Sequence, residues 1–469
     1  MLIVYPISSI LVTRRFSRIF YGRRVSILRG FIQREGLRAF LIRGVLGSGA
    51  LKLMQALLSF AVAVLLARAL GPEGFGTYAF ALSLVSLLVI VAQMGLPALV
   101  VREVARYQLT QDWARLRGLL QRANQAVFGL SGVLMLGIAT LGYFLVNGNS
   151  DTTLETFAYA LLLLPLIAMG NLRGAMLRGL HKVVQGQLPE MLVRPFLLFA
   201  FVGLCYVFGS LTPPIAMALY ALAAALAFAV GVYLLLRVIP AQVRAARPRY
   251  DTAVWLRSAL PLSLTSGMQV ISRQAGIVIL GILASSEEVG LYRVVTDVAL
   301  MVSITLGVIN VVIAPQIARL YHAGDLVRLQ KMITWSARAI LFTSLPVGIV
   351  LIVWGAPILQ AVFGAEYVEG RVALAILCVG QIVNAVMGSV AFLLNMTGHE
   401  RSVAKVVMLA TSINITLNLI LIPPFGIEGA ASATAVSLVI WNVILHRQAK
   451  IRLGINSSAL STARDGVQP

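Results

Sequence analysis

The chain has 469 residues, 59% of them hydrophobic and 12% charged, with a mean hydropathy of +0.90. Soluble domains carry about 25% charged residues; a chain this apolar would expose far too much greasy surface to water, so its solvent is lipid. The net charge of +21 raises nucleic acid as a partner, yet the basic residues fall where a membrane places them, and no nucleic-acid partner is expected.

In chain order, the first apolar run, 1–12, has no basic residue before it and stops at Arg14. It is too short for a hydrocarbon core of about 30 Å and does not have the usual form of a signal peptide. Residues 1–46 hold nine arginines with Ile19, Phe20, Val25, Leu28, Phe31 and Ile32 between them. An interfacial amphipathic helix and an unstructured tail both fit this segment. Long apolar runs then fall at 47–70, 77–100, 123–146, 154–176, 188–209, 214–237, 258–283, 289–314, 332–355, 371–396, 403–422 and 427–446. Each is near the length at which a helix crosses a bilayer. The fold class expected is all-α integral membrane, with twelve transmembrane helices.

Charge supports the number and the orientation. With 1–46 in the cytoplasm, alternate loops should be basic. Arg102, Arg106, Arg115, Arg117 and Arg122 follow span 2; Arg173, Arg178, Lys182 and Arg194 are assigned between spans 4 and 5; Arg237, Arg244, Arg247, Arg249 and Arg257 lie between spans 6 and 7. Arg319, Arg328 and Lys331 follow span 8, Arg401 and Lys405 follow span 10, and Arg447, Lys450, Arg452 and Arg464 follow span 12. Arg68, Arg293 and Arg371 lie at outer ends, and Lys52, Arg273 and Arg338 within spans. One span more or fewer would swap the sides of all later loops. Both termini are therefore expected in the cytoplasm of a bacterial or archaeal plasma membrane.

The outer loops are short and leave no room for a catalytic domain, and no G-x-x-x-x-G-K-[ST] run is present, so neither an enzyme nor ATP drive is expected. Cys205 and Cys378 fall inside apolar runs, and His181, His322, His399 and His446 are not at ligand spacing, so no metal site or cofactor is expected.

The two halves repeat. At an offset of 214, Gln55 matches Gln269, Glu73 matches Glu287, Gly76 matches Gly290 and Tyr78 matches Tyr292; at 213, Asp112 matches Asp325 and Arg115-Leu116 matches Arg328-Leu329. Two six-helix lobes of like orientation meeting at a cavity form a transporter architecture. The expected organisation is a basic cytoplasmic segment at 1–46, a first lobe at 47–237, a cytoplasmic inter-lobe loop at 238–257, a second lobe at 258–446 and a cytoplasmic tail at 447–469. In GPEGFG, Pro72 ends span 1 and Gly71, Gly74 and Gly76 permit the reversal into span 2. A plain outer turn is the simpler reading of these four residues, and a hinge or gate the sharper one.

The segments LLARALGPEGFGTYAFALSLVSLL (65–88), MGLPALVVREVAR (94–106), RGLHKVVQGQLPEMLVRP (178–195), SSEEVGLYRVV (285–295), VFGAEYVEG (362–370) and LLNMTGHERSVAK (393–405) occur in this order. The set resembles the polysaccharide flippase family of the MOP exporter superfamily, relatives of O-antigen and teichuronic-type exporters, over about 47–446. The resemblance implies a MATE-like fold and alternating access. It implies transfer of polyisoprenyl-pyrophosphate-linked oligosaccharide from the cytoplasmic to the outer leaflet, with membrane lipids and polysaccharide polymerases or glycosyltransferases as partners. A multidrug or small-molecule exporter of the same superfamily, and a membrane enzyme of polysaccharide assembly, are the competing readings.

Ionisable groups deep in spans mark cavities or ion pairs. Arg273 lies about 15 Å from the outer end of span 7 and Asp297 about 12 Å into span 8 by helical rise, so the two can pair. In the cavity, Arg273 would hold pyrophosphate oxygens bidentately. Protonating Asp297, or binding a cation such as Na+ there, would free the arginine and couple export to an H+ or Na+ gradient. Lys52 either snorkels to the cytoplasmic interface or enters the cavity. Gln55, Gln269, Asn310, Gln381, Asn384, Asn395, Asn414 and Asn418 can bind sugar hydroxyls, although interhelical hydrogen bonds are the commoner use. Arg338 is expected to snorkel.

Overall fold

A computed structural model describes residues 35–145, 152–209 and 211–461. Residues Met1–Ser48 form one unit and Gly49–Pro469 another. In the first, 35–48 are helical; the interfacial helix considered for 1–46 falls, up to residue 34, outside the described residues.

The described residues are mainly helical. α1 is Glu35–Gln93, α2 Leu96–Thr110, α3 Trp113–Leu145 and α4 Thr152–Gly179. α5 is Val183–Leu188, followed by a π-helical turn Pro189–Val193 and then α6 Arg194–Val207. α7 is Pro213–Val238, α8 Ala241–Ala245, α9 Thr252–Leu283 and α10 Ser286–Ala299. After a 3-10 turn, Leu300–Ser303, come α11 Ile304–His322, α12 Leu326–Val353 and α13 Gly355–Val362. A second 3-10 turn, Ala365–Gly370, precedes α14 Arg371–Met387, α15 Val390–Met396 and α16 Glu400–Leu453.

Among the described residues, ten helical stretches are long and apolar enough to cross a membrane. Two of them are much too long for one crossing. Gly49–Gln93 breaks at Gly71 (φ 66°, ψ 176°), and α16 breaks at Gly426 (φ 50°, ψ −126°). At a φ of this sign glycine alone escapes a Cβ clash, and prolines beside each break withdraw the N–H groups that would continue the helix (Pro72; Pro423 and Pro424).

The breaks lie on one face of the bundle, called here the turn face. A Cβ on Gly76 would sit 1.7 Å from the Ser286 carbonyl oxygen, and one on Gly426 would sit 2.5 Å from Glu288 Oε2. The opposite, basic face carries the corners between α2 and α3 and between α11 and α12. These two corners are built alike. Asp112 Oδ1 accepts from Arg115 N at 3.1 Å, and Asp325 Oδ1 accepts from Arg328 N at 3.0 Å. Each aspartate is a helix N-cap, and the match gives the sequence repeat a physical basis.

The segment joining the halves is held at the first corner. Arg115 meets Asp251 at 2.7 Å, Trp255 Nε1 donates to Tyr107 Oη at 3.1 Å, and Arg249 N donates to Ala114 O at 3.0 Å. One apolar core runs through both halves, from Leu66, Phe75 and Leu172 to Leu291, Tyr367 and Leu374. A second lies near the basic face of the second half, where Ile333, Val407 and Leu445 pack with Ile455 of the chain beyond α16.

Candidate functional site

Between the halves lies a cavity of about 290 Å³. Its walls come from both arms of α1 (Gln55 to Leu66, Phe75 to Leu82), the π turn with α6 (Glu190 to Leu198), Tyr220 of α7, and α10 with its 3-10 extension (Arg293, Asp297, Leu300 and Met301). The walls are mainly apolar, and the charges within them are paired. Glu190 Oε2 lies 2.6 Å from Arg194 Nη1, each side chain 18% exposed. Arg293 Nε donates to Asp297 Oδ2 at 3.0 Å. Each pair is four residues apart on one helical face, the spacing at which neighbours always come within reach. One guanidinium therefore comes from each half.

The chain places Glu190 through an irregular turn. Arg194 N–H bonds to Pro189 O, five residues back, and Pro195 lacks the N–H that would restore the ordinary ladder. Such π turns gather at functional sites. Tyr78 and Tyr220 stand beside the pairs with ring centroids 6.5 Å apart, and the Arg194 guanidinium lies 5.7 Å from the Tyr220 ring centroid.

The cavity is sealed toward the turn face. Arg68 Nε donates to Val362 O at 2.7 Å and its Nη2 to Ala361 O, while Tyr367 Oη donates to Ala67 O at 3.0 Å. Gly76 and Gly290 touch backbone to backbone. Of the four turn residues, Gly71 is the break, Pro72 lends its carbonyl to the Gly290 contact, Gly74 lies against Pro213, and Gly76 meets Ser286.

Gln55 and Asp297 line the cavity; Arg273, Lys52 and Gln269 do not. The Arg273–Asp297 pair is not formed. Asp297 takes Arg293 instead, because a partner one turn away on the same helix needs no help from tertiary structure. Arg273 and Lys52 are exposed and Gln269 half-buried. Arg293 is not an outer-end charge but a cavity residue, and Arg194 is not in a loop but at the start of α6. The spacings Glu190-x-x-x-Arg194-Pro195 and Arg293-x-x-x-Asp297, acid and base four apart inside apolar runs, were the signal in the sequence. Arg338 is exposed and reaches the chain beyond α16. It donates to Ala459 O at 3.2 Å and Ser461 O at 2.9 Å in the chain beyond α16. Asn384 joins Asn442 across α14 and α16 at 3.1 Å, which ties two helices together, and Asn418 bonds Asn414 within α16.

Known proteins agree with this architecture. The "Lipid II flippase MurJ, inward closed conformation" superposes with a TM-score of 0.67 at 15% identity, covering 87% of each chain. An inward-facing multidrug resistance MATE family transporter of the MOP superfamily gives 0.64 at 14% identity, covering 85% of this chain and 94% of that one. These likenesses show a MATE-like membrane fold. A curated relative, the "Probable low-salt glycan biosynthesis flippase" of Haloferax volcanii, is 26% identical over 170 residues. The chain spans 36% of that relative's length. The model of a family described as "Polysaccharide biosynthesis protein" matches residues 41–321, more than half of the chain. This multi-pass membrane chain belongs to the polysaccharide biosynthesis protein family.

Proposed function

We propose that the chain is a flippase rather than an enzyme. It carries polyisoprenyl-pyrophosphate-linked oligosaccharide from the cytoplasmic to the outer leaflet by alternating access between two six-helix lobes, in twelve crossings. The basic face is cytoplasmic, and both termini lie there. The observation that carries this reading is the pair of guanidiniums, Arg194 and Arg293, brought to one apolar cavity from the two halves. A pyrophosphate presents oxygens to both at once, and a planar guanidinium matches them bidentately. Leu57 (55% exposed) and Leu300 (48% exposed) line the cavity and keep much of their apolar surface uncovered by protein. A head group in the cavity can therefore keep its polyisoprenyl tail in the bilayer. The relative from Haloferax volcanii, a glycan flippase by name, supports the same substrate class.

A drug-cation exporter needs free negative charge in its cavity. Here Glu190 and Asp297 are each neutralised by an arginine, so neither offers a cation a free negative charge.

The test uses proteoliposomes carrying a lipid-linked oligosaccharide and a membrane-impermeant lectin. Wild type makes the inner-leaflet pool accessible; Arg194→Ala and Arg293→Ala proteins, inserted at equal amounts, leave it protected. Equal transfer by the alanine proteins would refute the arginine cavity as the substrate site.

A further inference from the structure

Behind Glu190 lies a second, much smaller recess of about 10 Å³, which it shares with Arg173 and Phe228. That is about the room one water needs. Gly170, Gly174, Gly186 and Gly231 line it beside Leu177, Pro189 and Ala227. The Arg173 guanidinium lies 3.3 Å from the Phe228 ring centroid, and its Nη1 is buried with no hydrogen-bond partner among the described residues. A buried donor on a charged group without an acceptor is costly and calls for a reason.

Glu190 stands between the two arginines. On the cavity side it meets Arg194 at 2.6 Å, but Oε2 makes no aligned hydrogen bond, so the contact is one of charge. On the recess side, its Oε1 lies 2.2 Å from where a Cβ on Gly170 would be. Only glycine there lets the carboxylate sit so deep. Arg173 follows Gly170 by three residues on α4, the same face one turn on.

We propose that Glu190 is a two-position carboxylate. It neutralises Arg194 while the cavity holds no anion, and it passes to the Nη1 of Arg173 when a diphosphate takes Arg194. The inference rests on the anion reading of the cavity and adds a positioning residue, Arg173, that does not touch the cargo. The hand-over solves a physical difficulty. A carboxylate abandoned by its arginine in a buried site is strongly unfavourable, and anion capture would be penalised by that amount unless a second cation waits behind. Gly170, which has no side chain to block it, lets the carboxylate reach the recess it shares with Arg173.

The experiment measures binding of farnesyl diphosphate to the purified full chain by calorimetry, in wild type, Glu190→Gln, Arg173→Met and the double variant. Wild type binds. Arg173→Met weakens binding about tenfold, because Glu190 then has no second partner. Glu190→Gln tightens binding several-fold, and the double variant binds like Glu190→Gln alone. An Arg173→Met protein that binds like wild type overturns the hand-over, as does a double variant that stays weak, since Arg173 would then serve the fold or the ligand directly. Should Arg173→Met not purify as a folded species, Glu190→Gln decides alone, and affinity equal to or below wild type overturns the proposal. A wild-type chain that does not bind farnesyl diphosphate sinks the cargo reading itself, and the hand-over with it. That result is distinct from wild-type binding without coupling.

Discussion

Gly76 and Gly290, equivalent positions of the internal repeat, meet backbone to backbone at the turn face. A Cβ on Gly76 would lie 2.9 Å from Gly290 N, and one on Gly290 would lie 3.1 Å from Gly76 N and 2.0 Å from Pro72 O. The first turn of α10 and the chain just past the Gly71 break thus close against each other with no side chain between them.

Alanine at either glycine forces these backbones apart. Overpacking of this kind costs about 1–3 kcal/mol, and here it falls on the closed seal. Gly76→Ala is expected to raise the labelling rate of a cysteine placed at Ala79, a buried residue of the cavity wall, by a membrane-impermeant thiol reagent applied from the turn side, with Cys205 and Cys378 replaced by serine. Unchanged labelling would show that the seal tolerates a methyl group and closes by other means.

Tyr367 and Arg68 hold the same seal by hydrogen bonds to backbone carbonyls. Tyr367→Phe leaves the Ala67 carbonyl without this donor, a loss of about 1–2 kcal/mol. The expected result is a lower melting temperature in detergent with the cavity residues untouched and farnesyl diphosphate affinity retained. A drop in affinity as large as that of Arg194→Ala would contradict this division of roles.

The cavity charges give an ordered series in the lectin-protection assay. Arg293→Ala strands Asp297, which is 19% exposed, and is expected to lower both membrane level and transfer. Adding Asp297→Asn restores the level while transfer stays at least tenfold below wild type, because the anion partner is still missing. Arg273→Ala, outside the lining, transfers like wild type. A tenfold loss with Arg273→Ala would return that residue to the site.

Asp112→Ala and Asp325→Ala remove equivalent N-caps and should each cost about 1 kcal/mol. Asp112 also shares Arg115 with Asp251, so its removal leaves that pair in place. Thermal denaturation of the two variants should give shifts of the same sign and similar size. A shift from one alone would mean that the two corners are not energetically equivalent.

The sequence by itself determined the solvent, the helical class and the two-fold repeat. Long apolar runs leave lipid as the only tolerable surroundings, and backbone satisfaction in lipid leaves the helix. Local grammar was also legible: Gly71 beside Pro72 breaks α1, and the matched aspartates Asp112 and Asp325 fall at equivalent corners, whose caps the structure shows. The cavity was legible only in part. Gln55 and Asp297 line it, but the pairing of Arg273 with Asp297 rests on depth alone, and depth does not fix which way a side chain faces around its helix. Rotation about the helix axis is set by packing against neighbours. Here the π turn at Pro189–Val193 and the glycine contacts at Gly76, Gly170 and Gly290 set it. Those are relations between residues far apart in the chain. They alone decided that Arg194 and Arg293, read as a loop charge and an end charge, share one cavity.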